Sequence, residues 1–187
     1  YAFSIWLLIY AGLILHAGYG LLQRADDPVW DRPRLALMAA LVLGTTWVAL
    51  AGDQPVAATV TILIMLVAAL VAVLRTGRED RLWLMSPIAL LAGWVTAAAG
   101  AASGVTLAGL GWLSDTVSAV VCILAVLALA VGMQLRLGRV PEYGAAVVWA
   151  LVGIVVANWG LNATVAWLAL AGSAMVLGAT LVAWRKR

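Results

Sequence analysis

A chain of 187 residues that is 66% hydrophobic, with 11 basic and 8 acidic side chains, has far more apolar surface than a water-facing globule can hide. Soluble domains average about 25% charged residues, and disordered chains are richer still in charge, so both classes are excluded. A single His and a single Cys exclude an internal disulfide and any metal site assembled from several His or Cys ligands, and what remains is a polytopic helical membrane protein.

A membrane-spanning helix needs about 20 apolar residues, with a range of roughly 17–25. Uncharged runs occur at 3–22, 35–51, 56–74, 84–108, 116–135, 143–158 and 163–184. They predict an all-α bundle of seven transmembrane helices in one domain spanning 1–187. The second and third runs are parted only by Gly52-Asp53-Gln54-Pro55, a tight turn between antiparallel helices. The sixth run is short, and its ends extend to Pro141 and Trp159, because proline is accepted in a helix's first turn. A start at Tyr1 predicts a short segment upstream. The first run, with no basic region before it, reads as a helix and not as a cleavable signal.

Every Asp, Glu, Lys and Arg lies outside these runs. Basic residues occupy the first, third and fifth connections and the tail, in counts of 3, 3, 2 and 3, and the other connections have none. Under the positive-inside rule this puts the N-terminus outside and the C-terminus in the cytoplasm of a bacterial inner membrane. Adding or removing one helix would break the alternation. The net charge of +3 then belongs to topology, and anionic lipid headgroups, not nucleic acid, are the expected partners.

The absence of charged residues inside the runs removes the machinery of proton relays, coupled ion transport and voltage sensing. A retinal Schiff base is excluded as well, since the one Lys is Lys186 in the tail. Without paired carboxylates or a Ser/His/Asp arrangement, the chain is expected not to be an enzyme and to require no cofactor. His16 shares one side of helix 1 with Gly12, Tyr19 and Gly20. It reads either as an axial ligand to a tetrapyrrole metal or as a neutral imidazole bonded to a neighbouring helix. Cys122, alone in an apolar run, reads as a small buried hydrophobe.

Ten Trp are the other anomaly. Trp30, Trp83, Trp112, Trp159 and Trp184 fall near span ends, as an interfacial aromatic belt requires. Trp6, Trp47, Trp94, Trp149 and Trp167 lie further in, where they either pack helices together or wall a pocket for a flat apolar ligand. Gly93, Ala97, Gly100, Ala101 and Gly104 put small residues on helix 4. Ala169, Gly172, Ser173 and Gly178 do so on helix 7. Such faces let backbones approach closely within a bundle, or dock another membrane subunit. Pro87 sits in the opening turn of helix 4, or kinks it to widen a pocket.

The opening Phe3-Ser4-Ile5-Trp6 followed by Ile9-Tyr10 resembles the first helix of the TspO/MBR family, the tryptophan-rich sensory or translocator proteins. Trp47 in helix 2, the uncharged helix 3, Arg81 and Trp83 before helix 4, and Pro87 with Trp94 seven residues on keep that family's order. The likeness covers 1–108, with 109–187 forming three further helices. The stretch 143–153, with Tyr143, Trp149 and Gly153, is similar to the later part of an extended bacterial branch. The family's usual fold has five helices. Where its members often carry Asn, this chain has Thr45 and Thr46 in helix 2 and an Ala/Gly run from Ala97 to Ala102 in helix 4. The resemblance implies binding of a porphyrin, another tetrapyrrole, a sterol-like molecule or a lipid, and a sensory or regulatory role in tetrapyrrole and photosynthetic-pigment metabolism. The implied ligand-binding residues are Trp6, Tyr10, Thr45, Trp47, Pro87 and Trp94. The alternative is a non-catalytic accessory subunit of a larger membrane assembly, such as a photosynthetic reaction-centre or light-harvesting complex; in either case other membrane subunits or a homodimer are candidate protein partners.

Overall fold

The computed structural model describes residues 4–185. Phe3 of the opening motif and Lys186 and Arg187 of the basic tail lie outside the described residues. Seven α-helices follow one another: α1 (Ile5–Gln23), α2 (Pro28–Leu50), α3 (Pro55–Arg75), α4 (Met85–Gly109), α5 (Asp115–Leu137), α6 (Pro141–Asn158) and α7 (Ala163–Arg185). Each is long and apolar enough to cross a membrane, and no strand occurs among the described residues.

Six helices begin and end within a few residues of the uncharged runs. α2 starts seven residues before its run, so Asp31, Arg32 and Arg34 stand on the helix and not in a loop. The cause is local. The Asp27 side chain accepts a hydrogen bond from the Val29 N–H at 2.8 Å, and Pro28 at the first position has no N–H left to satisfy. Charge marks where a helix leaves hydrocarbon, whereas the cap marks where it starts.

α4 is the axis of the bundle. It packs on α3, α5 and α6, with α1 laid across it more loosely; α2 joins through α3, and α7 through α5 and α6. The small face of α4 makes this crowding possible. A Cβ on Gly93 would collide with the Tyr143 carbonyl oxygen of α6, and one on Gly100 with the Val126 side chain of α5. Beside Gly93 the two helices share a buried bond, Thr96 Oγ1 to the Tyr143 hydroxyl at 3.0 Å. On α7 the two glycines differ. Gly172 faces Leu127 of α5, and Gly178 meets nothing.

Fully buried Gln134 joins α5 to α6. Its amide nitrogen donates to the Gly138 and Val140 carbonyls, each at 3.2 Å, and its oxygen accepts from the Gly144 N–H at 2.9 Å. That oxygen satisfies one of the N–H groups that the first turn of any helix leaves open. Both polar atoms of this amide, in three hydrogen bonds, are satisfied as burial demands.

Candidate aromatic cavity

Between α1, α2, α3 and α4 lies a cavity of about 270 Å³. Trp6 and Tyr10, one turn apart on α1, stack with ring centroids 5.2 Å apart and planes at 24°. Trp94 meets Trp6 edge-on at 6.1 Å and 81°. Trp47 and Thr45 of α2 and Met65 of α3 complete the wall. Five of the six residues named from the resemblance therefore surround one space: Trp6, Tyr10, Thr45, Trp47 and Trp94. Pro87 does not join them. It is buried where α1 crosses α4, with its ring against Gly12, because a first-turn proline needs no kink and opens no pocket.

The polar groups of this cavity are few. The indole Nε1 of Trp47 is buried with no hydrogen-bond partner among the described residues. Thr45 Oγ1 donates to the Val42 carbonyl at 2.7 Å, and Thr46 Oγ1 to the same oxygen at 3.2 Å. The Thr45 hydroxyl spends its proton on its own helix, so toward any other group it can act only as an acceptor. Thr46 is exposed and does not line the space. The site offers aromatic faces, the unpartnered N–H of Trp47, and the hydroxyl-bearing side chains of Tyr10 and Thr45.

A second chamber of about 410 Å³ shares Trp47, Trp94 and Ala98 with the first, and is completed by Thr59, Ala101 and Asn158. The Ala97–Ala102 run that replaces the family's Asn forms part of its wall. From the sequence this small-residue face reads as a surface for packing within the bundle or for docking another subunit; the space beside it is defined only by the facing helices. Across α4, a third void of about 340 Å³ lies beside Gly100, Gly104 and buried Cys122.

The aromatic belt needs one correction. Trp112 and Trp159 are largely exposed, as an interfacial ring should be, but Trp30 is 3% exposed. Its Nε1 donates to Asp80 Oδ2 at 3.1 Å, and the same oxygen accepts from Arg24 Nε at 2.7 Å. The Trp30 ring lies against His16 on one side and Tyr19 on another, and Tyr19 in turn stacks on Trp83 at 5.2 Å. Asp80 takes a positive φ of 48°, which Asp tolerates better than most residues. The charged bonds from Arg24, first, and then the Trp30 N–H hold its carboxyl below the ordinary 3.8. His16 belongs to this cluster and not to the cavity. Trp167 also moves outward, paired with Trp159 at 5.7 Å on the exposed surface.

Fold and site together define a seven-helix membrane protein with a tryptophan-walled apolar cavity among its first four helices. A family model described as TSPO-like protein matches residues 1–182, and the chain belongs to that family. The match continues across α5 and α6 and into α7, beyond the first 108 residues over which the resemblance was traced. No curated protein and no solved structure matches the chain.

Proposed function

We propose that this protein is a non-catalytic receptor for a flat, largely apolar ligand carrying at least one hydrogen-bond acceptor, held between α1, α2, α3 and α4. The observation that carries the reading is the free Nε1 of Trp47 in a cavity walled by stacked rings. A buried indole N–H usually has a partner, and a ligand acceptor supplies one. Membership of the TSPO-like family favours a tetrapyrrole or sterol-like molecule, with a sensory or regulatory role in a bacterial inner membrane.

Size constrains the mode of binding. Drug-sized ligands occupy sites of about 300–1,000 Å³, and the first chamber is about 270 Å³. A ligand of one or two rings fits it as it stands. A macrocycle needs the neighbouring chamber too, so Trp47 and Trp94, which line both, must turn aside for it.

Absorption and Trp-fluorescence titration with protoporphyrin tests the proposal, using a matched pair of variants. Trp94 is 6% exposed in the cavity wall and Trp112 is 71% exposed. Trp94→Leu removes a ring worth about 0.5–1.5 kcal/mol beyond its burial, so Kd should rise roughly two- to tenfold. Trp112→Leu should change it by less than about twofold. Equal effects, or none, together with other subunits co-purifying in mild detergent, would move the assignment to the accessory-subunit role.

A further inference from the structure

At the end of the bundle where the basic residues gather, α1 and α2 leave a second groove of about 410 Å³, separate from the aromatic cavity. His16 of α1 and Arg34 of α2 stand in it above an apolar trough that includes Leu13, Leu37, Met38 and Leu41. Met38 and Leu41 are exposed at its rim, so the groove opens sideways onto lipid.

The chemistry of His16 is set by a neighbour. Its Nδ1 lies 2.8 Å from the Trp83 carbonyl oxygen, which accepts only, so Nδ1 carries the proton. In the neutral ring Nε2 is then a bare acceptor. No donor among the described residues reaches it. Trp30, 5.0 Å away and nearly parallel, fixes the ring plane. Arg34 stands six residues after Pro28 and His16 seven before Gln23, which puts both about 10 Å along their helices from the same end. One Arg34 nitrogen pairs with Asp31 at 2.5 Å, and the remaining N–H groups of the guanidinium fork stay available.

We propose that this groove is a phospholipid site. The phosphate sits at Arg34, a headgroup N–H or O–H donates to His16 Nε2, and an acyl chain lies along Leu13, Leu37 and Leu41. Basic pockets between helices on the cytoplasmic side are suited to lipid headgroups, and a groove open to the bilayer fills from it. The bare acceptor adds selectivity. Ethanolamine and glycerol headgroups have a donor to give, whereas fully methylated choline has none, and leaves Nε2 unsatisfied in an apolar setting.

Native mass spectrometry of the detergent-purified protein tests this with phosphatidylglycerol, phosphatidylethanolamine, its N,N-dimethyl derivative and phosphatidylcholine of identical chains. The first three should be retained as single adducts, and the last about fivefold more weakly. The break should fall at the final methylation, which removes the last N–H. His16→Phe keeps a ring on Trp30 and should erase the preference, while Arg34→Gln should weaken every headgroup. If His16→Phe does not fold, the headgroup series on the unaltered protein decides alone. Equal retention of phosphatidylcholine, a preference surviving His16→Phe, or displacement of the lipid by millimolar inorganic phosphate would overturn the proposal. A haem Soret shift lost in His16→Phe would assign the groove to a metal-bearing tetrapyrrole instead. Protoporphyrin binding in the aromatic cavity should be unchanged in both variants, so this site and that one fail separately.

Discussion

At the scale of single residues, Asp80 does what no reading of its neighbours foretold. It lies in a charged connection where solvated loop residues are the rule, yet it accepts from Arg24 and Trp30, which are 56 and 50 positions upstream in the chain. Trp30 was legible as an aromatic at a span end. Its burial was not, because a belt tryptophan and a core tryptophan look alike until the acceptor for the N–H is known. The pH consequence has a definite sign. A carboxyl held below its ordinary value in the folded state contributes stability that is complete above about pH 4 and is lost as pH falls through the lowered value. Thermal unfolding in detergent should therefore show a falling midpoint from pH 4 downward. Asp80→Asn should begin with a lower midpoint at pH 7 and lose less of it on acidification. An acid profile as steep as that of the unaltered protein would mean that other carboxylates dominate.

Among the elements, the helices themselves were readable because lipid imposes one length and one polarity on every span. What composition hides is which side of a helix faces which partner. The small residues of α4 predicted close approach without naming where; the structure assigns Gly93 to α6 and Gly100 to α5, and leaves Ala98 and Ala101 beside open space. The same limit applies to the site. Its Trp and Tyr rings were found through motif order, while the second chamber emerged only once α3 and α6 were in place. Gly93→Ala should cost about 1–3 kcal/mol, as overpacking does, because the obstacle is backbone, the Tyr143 carbonyl, which cannot swing away. Gly178→Ala meets open space and should stabilise by up to about 0.5–1 kcal/mol through the better helix propensity of Ala. Unfolding midpoints of the two variants in one detergent compare them directly, and similar effects would refute the assignment of Gly93 to the α4–α6 contact.

For the whole molecule, cross-links between distant segments show that the basic connections share one end. Arg24 reaches Asp80, Arg81 reaches Glu142 at 2.7 Å, and Arg139 reaches the Trp184 carbonyl at 3.2 Å. That end carries the clamped aromatic cluster and the lipid groove, whereas the second chamber is built from the opposite ends of α2, α3, α4 and α6. If the basic end is cytoplasmic, as the positive-inside rule requires, the second chamber lies toward the outer side. Single-cysteine labelling with a membrane-impermeant maleimide decides the orientation. Cys122 is buried, and Cys122→Ala gives a silent background. Asp53, exposed in the α2–α3 turn, reports on one end. At the other, Arg78 is the better probe than Gly77, where a side chain would press into Val29, and Arg78 itself is exposed. In intact cells Asp53→Cys should label and Arg78→Cys should not until the membrane is permeabilised. The reverse pattern would turn the molecule over and open the second chamber to the cytoplasm, and labelling at both positions would break the alternation that puts all the basic connections on one side.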